Sequence, residues 1–204
     1  RARGNGSGSC RAPAAQAGEG LEQAIRRDMN AAIAAELDRV VINGSGAAGE
    51  PLGIIPGAAT YGIPSTAVAA TATWAAFRAQ VVAFMQDNAI TSANQVNLAF
   101  DPAIWADLDD ALITGTAVSE WDRLTKHTGA PAISNVIPAE TAIMTATVQG
   151  IAPGYLGIWG GVDLIRDPYT KAHSGQLVLT GLVTADFTVP RGMQTRILTG
   201  IGEP

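Results

Sequence analysis

The sequence is poor in several residue types, and each shortage excludes a class of protein. Cys10 is the only cysteine, so no disulfide can form within the chain, which indicates a reducing compartment. Charged residues make up 15% of the chain, and acidic residues outnumber basic ones to give a formal net charge of −5. Proteins that bind nucleic acid usually carry basic clusters. We therefore predict no specific nucleic-acid partner.

Long apolar runs are also missing. No stretch has 18 consecutive strongly apolar residues, and the first residues lack the apolar core of a signal peptide. We therefore expect no membrane partner and a chain that is soluble and intracellular when made. The low charge has two interpretations: a surface suited to self-association, or simple dilution by alanine, glycine and threonine.

Two long segments with alternating apolar and polar residues lie near the C-terminus, at 155–166 and 176–189. This period predicts an antiparallel hairpin, joined by a turn-rich segment. At about 3.3 Å per residue the second strand would reach roughly 45 Å, longer than a common strand. Such an arm suits a protein that contacts many neighbours. The residues predicted to share a face are Leu156, Ile158, Val162 and Leu164 in the first strand, and Leu177, Leu179, Val183, Ala185, Phe187 and Val189 in the second.

The apolar residues before the middle of the chain follow a helical period instead. Apolar residues recur every three or four positions over 19–42, which predicts a long helix that ends at Asn43 and Gly44. Glycines and prolines at 44–57 then predict an extended, turning path. Residues 1–18 have no periodicity, and we expect a flexible segment there. The predicted helical stripe contains Leu21, Ile25, Met29, Ile33, Leu37 and Val40.

The segment 61–149 has the pattern of a compact α+β module. We predict a helix over 73–88, capped by Thr73, a strand over 95–100, and a helix that begins at Pro102 after the cap Asp101. A polar loop at 126–129 and strands at 132–137, 142–148 and 195–198 complete the prediction. The expected inward residues are Trp74, Phe77, Val81 and Met85 in the first helix, and Ile104, Trp105, Leu108 and Leu112 in the second.

Several motifs could carry chemistry, but each lacks its required context. Gly44, Gly46 and Gly49 match a dinucleotide-binding pattern, yet a helix precedes them and none can follow. Acidic side chains one to three positions apart on a helix do not converge on a metal; these are Asp107, Asp109 and Asp110. A nucleophile, a base and an acid can be chosen, but no motif positions them; these are Ser134, His127 and Asp122.

We therefore predict no catalytic residue, no cofactor and no metal site, and hence no enzyme. His173 lies in a polar loop like His127. Charged and aromatic residues at the hairpin tip are candidates for contact with another subunit, or form a solvated turn. These candidates are Arg166, Asp167, Tyr169 and Lys171.

The order of these segments resembles the major capsid protein of tailed bacteriophages with the Hong Kong 97 fold. The resemblance covers roughly residues 19–200. It depends on a helix that enters DRVVINGSG and GEPLGIIPG, then GYLGIWGGVDLIRDPYTKAHSG, and finally FTVPRGMQTRIL. It implies an α+β fold with a peripheral domain, made of the long helix and the long hairpin (19–62 with 160–188), and a compact axial domain (63–159 with 189–204).

The resemblance also implies a structural function. Such a subunit self-assembles through pentamers and hexamers into an icosahedral shell that encloses DNA. It lies in the host cytoplasm before assembly and in the virion capsid afterwards, and its further partners would be a portal, a scaffold or a maturation protease. The competing hypothesis is a small α+β oligomeric binding module or enzyme with its site in 63–159.

The chain departs from the family's pattern in two ways. The N-terminal arm and the extended loop are not recognisable in residues 1–18, so we expect a truncated or altered gene product. Some members form covalent cross-links between a lysine and an asparagine beside a glutamate. Here Lys126 and Lys171 are the only lysines, and 176–189 contains neither asparagine nor glutamate. We therefore predict no cross-linking.

Overall fold

The computed structural model describes residues 18–129, 131–147, 150–167, 169–174 and 178–202. Contacts divide the chain into two compact units. The first comprises Arg1–Leu37 and Gly157–Ala185, and the second comprises Asp38–Leu156 and Asp186–Pro204. The predicted peripheral and axial domains stay a prediction, and the two units are described separately below.

Helix α1 spans Gly18–Asn43 and confirms the helix predicted over 19–42. Its part in the first unit packs against the two-stranded sheet through the predicted apolar stripe. A Cβ atom added at Gly181 would lie 3.2 Å from Ile33 Cδ1 and 3.3 Å from Met29 Cε. A glycine at this position therefore lets the helix approach the sheet closely. Ile25, one turn earlier in the stripe, is exposed.

Strands β5 (Tyr155–Asp167) and β6 (Val178–Thr188) pair in a two-stranded sheet, which confirms the predicted pairing of the two long segments. Burial alternates along β6, where Val183 and Ala185 are half-buried and Leu182 and Thr184 are exposed. That alternation confirms the predicted period of two for this strand. Residues 175–177, where the second strand was predicted to begin, lie outside the described part of the chain.

The second unit contains a five-stranded mixed sheet with the strand order β1-β7-β4-β2-β3. Strand β7 pairs parallel with β1 and antiparallel with β4, while β2 pairs antiparallel with β4 and parallel with β3. The edge strands are poor templates for further pairing, because β3 has two residues and β1 is interrupted by a register shift. The strands are β1 Ser65–Ala70, β2 Val96–Phe100, β3 Ala132–Ile133, β4 Ala142–Ala146 and β7 Thr195–Ile201.

Besides the end of α1, the described part of this unit contains the helices α2 Ala58–Tyr61, α3 Trp74–Gln86, α4 Pro102–Asp110 and α5 Glu120–His127. Asp101 caps α4 as predicted, and its side chain accepts a hydrogen bond from the Ala103 amide at 3.1 Å. Thr73 precedes α3 but makes no side-chain cap; the Glu120 carboxylate accepts from the Trp74 amide at 2.9 Å instead. The main core contains the buried side chains Phe77, Phe84, Phe100, Ile104, Leu108, Leu124, Met144 and Leu198.

Three residues predicted to point inward are exposed. In α3 the buried stripe continues from Val81 to Phe84, which leaves Met85 one position off that stripe and exposed. In α4 the buried side chains are Ile104 and Leu108. Trp105 lies beside them and is exposed, and Leu112 lies beyond the helix end and is exposed too.

Short elements were also predicted wrongly. The expected loop at 126–129 begins inside α5, because the mostly polar residues of this helix gave no clear helical period. The N-terminal cap of α5 is Ser119, whose side chain accepts a hydrogen bond from the Asp122 amide at 3.2 Å. Strand β1 was missed because its small residues carry almost no apolar signal. The predicted strand at 132–137 is only the two residues of β3.

The glycines after α1 bring backbone against backbone. The last carbonyls of a helix lack partners within the helix. Here the Ile54 amide donates to the Val41 carbonyl at 2.9 Å, and the Ile55 amide donates to the Ile42 carbonyl at 3.0 Å. The Gly53 amide donates to the Gly44 carbonyl at 2.9 Å. The returning chain therefore caps the helix C-terminus through Gly44 and Gly53, while Gly46 and Gly49 hold left-handed backbone at φ +69° and +85°.

Glu50 holds the loop in front of this cap. Its carboxylate accepts from the Ser45 hydroxyl at 2.6 Å and from the Ser45 amide at 3.1 Å, and it pairs with Arg39. The two bonds from Ser45, then the hydrogen bond and charge of Arg39, lower the pKa of Glu50 from 4.5 to about 2. The ionised carboxylate is therefore favoured in the folded chain.

We expect the stabilisation by Glu50 to depend on pH. The folded pKa lies below the unfolded one, so the contribution is fully present above pH 4.5 and is lost as the pH falls towards 2. Glu50→Gln should therefore lower the denaturation midpoint relative to wild type at pH 7, with a difference that shrinks below pH 4.5. Ser45→Ala, which keeps the amide bond, should give an intermediate loss. A difference that is constant from pH 7 to pH 2.5 would contradict the role of the carboxylate.

Candidate subunit interface

The first unit presents large apolar side chains to solvent. The set of residues that we name the β5–β6 apolar surface consists of Ile158, Trp159, Val162, Ile165 and Leu182; all are exposed, and they come from both faces of the strand pair. Single exposed apolar residues are common on monomers, but five large ones within two paired strands indicate contact with another molecule. This surface is therefore the first candidate for contact with another molecule.

The sequence pattern named only part of this surface. Ile158 and Val162 were assigned to a shared face, but the alternation gave no indication that this face stays exposed. Trp159 and Ile165 belong to the other set of alternating positions and were missed. Gly160 between them has φ +78°, which interrupts the regular extended backbone of β5. The exposed tryptophan in the GIWGG stretch was the signal that could have found the surface.

The predicted contact residues at the tip have different environments. The Asp167 carboxylate accepts from the Tyr169 amide at 2.8 Å and the Thr170 amide at 3.1 Å, and also from the Thr170 hydroxyl. The Thr170 hydroxyl first, then the two amides, lower the pKa of Asp167. Asp167 thus organises its own turn, as short acidic side chains commonly do.

The other tip candidates are freer to meet a partner. Tyr169 is 84% exposed, and Lys171 is also exposed. The backbone of Lys171 takes part in the turn, because its carbonyl accepts a hydrogen bond from the Ser174 amide at 3.1 Å. Arg166 lies in β5, but its side chain is outside the described part of the structure. A role of these residues in subunit contact stays a prediction.

The residues weighed for catalysis or metal binding occupy ordinary structural positions. His127 stacks on Trp74 with ring centroids 5.1 Å apart, and the Ser134 hydroxyl accepts from the Val136 amide at 3.3 Å. Asp107, Asp109 and Asp110 are exposed on α4. Among the described residues, no group of three or more histidine, cysteine, aspartate or glutamate side chains could hold a metal ion. Within the same residues, no helix is long and apolar enough to cross a membrane.

An open cleft lies among the described residues of the second unit. Its volume is about 580 Å³, and it is lined by 61–62, 87–89 and 190–194. A volume of this size is within the range of small-molecule sites, but such sites enclose most of their ligand. Most of its lining lies outside 63–159, where the competing hypothesis placed a site.

Comparison with known proteins gives a result at the level of structure only. No protein-family model and no curated protein match the sequence. Solved structures of capsids do match. The capsid of an empty GTA particle is 12% identical with a TM-score of 0.63, over 89% of this chain and 66% of that one. The capsid of the Myoviridae phage XM1 is 12% identical with a TM-score of 0.58, over 89% and 65%.

A third similar structure comes from a different source. The virus-like particle from Pyrococcus furiosus is 12% identical with a TM-score of 0.55, over 79% of this chain and 61% of that chain. The present chain therefore spans about two thirds of the length of these proteins or slightly less.

The chain thus has the fold of a capsid-shell subunit. It is the Hong Kong 97-type α+β fold, and the predicted fold class is confirmed.

Proposed function

We propose that this chain is a structural major capsid protein of a phage or prophage, which self-assembles into an icosahedral shell around DNA. The observation that carries the proposal is the fold: 79–89% of the chain superimposes on the three capsid proteins described above. Fold alone does not define function, so the surface must agree with it. A subunit that self-assembles needs apolar surface that is exposed in the single chain, and the β5–β6 apolar surface is of this kind.

The geometry of the surface suits contact with copies of the same chain. Two strands of 13 and 11 residues carry the exposed side chains along an extended area. A stable protein interface buries ~1,600 Å² in total, with aromatic side chains enriched at its centre. Trp159 is the aromatic of this surface, and Tyr169 at the tip is a second candidate. No enzymatic activity is part of the proposal.

The proposal also covers partners and location. Assembly would proceed through pentamers and hexamers, in the bacterial host cytoplasm, and end in the virion capsid. A portal, a scaffold or a maturation protease would be the further partners, and peripheral and axial domains would have the predicted boundaries. Genes for these proteins beside the gene of this chain would support the proposal.

Purification of the full-length gene product tests the function. We expect species of five or six copies or larger by mass photometry, and closed particles by negative-stain electron microscopy. Ile158→Thr combined with Trp159→Thr should strongly reduce these species while the melting temperature of the subunit stays nearly unchanged, because threonine keeps the strand propensity. A product that stays monomeric at every protein and salt concentration would contradict the proposal.

A matched control separates surface position from apolar character. Met193 and Ile158 are both 52% exposed, but Met193 lies in the short 3₁₀ turn Gly192–Gln194. Met193→Thr should leave assembly closer to wild type than Ile158→Thr does. Equal losses from the two changes would mean that the β5–β6 apolar surface has no special role.

A further inference from the structure

Helix α4 lies on the surface of the second unit and leaves a tryptophan partly uncovered. Ile104 and Leu108 are its buried side chains, and the rest of Pro102–Asp110 is exposed. Trp105 is 39% exposed, and its ring meets the Trp121 ring of α5 edge to face, with the centroids 6.4 Å apart. The Trp121 contact therefore orients an aromatic ring that is still open to a partner.

The charges of α4 are unfavourable for a helix without a partner. Residues 101–110 carry four acidic side chains and no basic one. The C-terminal end of a helix is the negative end of its dipole, where cations are stabilising and anions are not. Asp107, Asp109 and Asp110 lie at that end, are exposed, and form no ion pair with any described residue. A positively charged partner would relieve this repulsion.

The position of the acids around Trp105 suits an arginine side chain. Asp101 precedes Trp105 by four residues and Asp109 follows it by four, so the three lie along one side of the helix. We name this set the α4 tryptophan face. A guanidinium group is planar, stacks on an aromatic ring and donates two parallel hydrogen bonds to a carboxylate. The face offers both kinds of contact within one helical turn.

The same charges exclude other partners. Nucleic acid and anionic membranes are negative and would be repelled, and a second copy of this face would be repelled equally. Among the described residues no acidic and histidine side chains gather in the number that a metal ion needs. The partner of the α4 tryptophan face is therefore a basic polypeptide segment.

The chain itself contains such a segment. Residues 1–17 include Arg1, Arg3 and Arg11 and no acidic residue, and no other stretch of 17 residues has three basic residues without an acidic one. This segment lies outside the described part of the chain and is joined to α1 at Gly18. An extended chain of this length spans about 55–60 Å at most, so its arginines are not confined to the neighbourhood of Gly18.

We propose that residues 1–17 dock on the α4 tryptophan face, with an arginine side chain over the Trp105 ring and paired with Asp109. The arginines neutralise the acids at the negative end of α4, which is the observation that selects this occupant. The inference goes beyond the proposed function and does not depend on it. A segment from the same copy or from a neighbouring copy makes the same contacts.

The native cysteine allows a direct test in the full-length chain. Cys10 precedes Arg11, and Ala106→Cys places a second thiol beside Trp105. The matched control is Ala79→Cys on α3, since Ala79 and Ala106 are both exposed alanines within helices. Mild oxidation should join Cys10 to the introduced thiol about tenfold faster in Ala106→Cys, because docking raises the effective concentration of the two thiols. Peptide mass spectrometry identifies the bond.

Equal rates in Ala106→Cys and Ala79→Cys would overturn the proposal and leave the α4 tryptophan face to a basic partner outside this chain. Each rate is divided by the rate of reaction with glutathione disulfide, which corrects for differences in thiol reactivity.

A second substitution shows whether the carboxylate beside Trp105 is responsible. Added to Ala106→Cys, Asp109→Asn should slow the disulfide bond formation about threefold, and salt at about 0.5 M should slow it further, because both weaken the charge contact. Asp122→Asn is the control, since Asp122 is also an exposed acid but lies on α5. Both substitutions are nearly isosteric, and unchanged melting temperatures would confirm that the variants fold. Equal effects of Asp109→Asn and Asp122→Asn would overturn the proposal.

The product also shows which copy supplies the segment. A disulfide within one chain migrates as a monomer on a non-reducing gel, and a disulfide between copies migrates as a covalent dimer; either product supports the docking. Assembly is measured separately on the wild-type chain. Its failure would reject the capsid function and would leave the result of the disulfide experiment unchanged.

Discussion

Replacing Gly44 with alanine will lower the free energy of unfolding by about 3 kcal/mol or more, a loss in the upper range for single substitutions. A Cβ atom at this position would lie 2.2 Å from the Pro51 carbonyl oxygen and 2.5 Å from the Val40 carbonyl oxygen. Both neighbours are backbone atoms and cannot rotate away. The two backbone segments are held in place because the Gly44 amide donates to the Val40 carbonyl at 2.8 Å and the Gly53 amide donates to the Gly44 carbonyl.

Two control glycines separate this clash from other effects of alanine. Gly129 has no atom within 4 Å of an added Cβ and no left-handed backbone, so Gly129→Ala should change stability by less than about 1 kcal/mol. Gly49 has equally open surroundings but a φ of +85°, so Gly49→Ala should cost about 1–2 kcal/mol from backbone strain alone. Urea denaturation of the three variants measures the order. A Gly44→Ala variant as stable as Gly129→Ala would show that the helix exit tolerates a wider path.

Gly44 also shows how far sequence reasoning reaches. Its position after a long apolar stripe predicted the end of α1 to within one residue, because a period of 3.6 sustained over many residues is a strong signal. The sequence could not show why positions 44 and 53 are both glycine. That reason is the close approach of two backbone segments, and it exists only once the chain has returned on itself.

The same distinction applies to the strands and short helices. The strand pair β5–β6 was predictable because its alternation continues for more than ten residues. Strand β1 and helix α5 were missed because small residues in one and polar residues in the other give no clear period. Strand β1 pairs with β7, and that contact joins residues far apart in the sequence.

The candidate interface was predictable only in outline. Alternation predicted an apolar face on β5, and the usual inference is that such a face is buried. Ile158 and Val162, on that face, are exposed instead. A sequence cannot indicate whether an apolar face is covered by its own chain or by a neighbour, because both need the same residues. The segment after α4 shows the same error, since Leu112 was predicted as core from helical spacing, lies beyond the end of α4 and is exposed.

Arg196 is a cation placed in the interior of the second unit, in strand β7. Its Nη2 atom lies 2.5 Å from Asp87 Oδ2, and its Nη1 atom lies 3.4 Å from Gln80 Oε1. Its guanidinium carbon lies 5.0 Å from the centre of the Phe84 ring. Its Nε atom is buried and finds no hydrogen-bond partner among the described residues. The charge therefore depends mainly on Asp87 for its compensation.

Removing the Asp87 carboxylate should cost more stability than removing the Arg196 guanidinium. Asp87→Ala leaves a mostly buried guanidinium without its carboxylate, which typically costs 3–5 kcal/mol for a fully buried pair. Because Asp87 is about one-third exposed and water can replace part of the interaction, we expect about 2–3 kcal/mol. Arg196→Met removes the charge and keeps an unbranched side chain against Phe84, so we expect a loss of about 1 kcal/mol.

The double variant Asp87→Ala with Arg196→Met gives the decisive comparison. It should be more stable than Asp87→Ala alone, because the second substitution removes the uncompensated charge that the first one creates. Urea denaturation of the wild type, the two single variants and the double variant measures the coupling energy between the two sites. Additive losses would mean that water already compensates Arg196 in the single variant. In that case the pair contributes no more than a surface ion pair does.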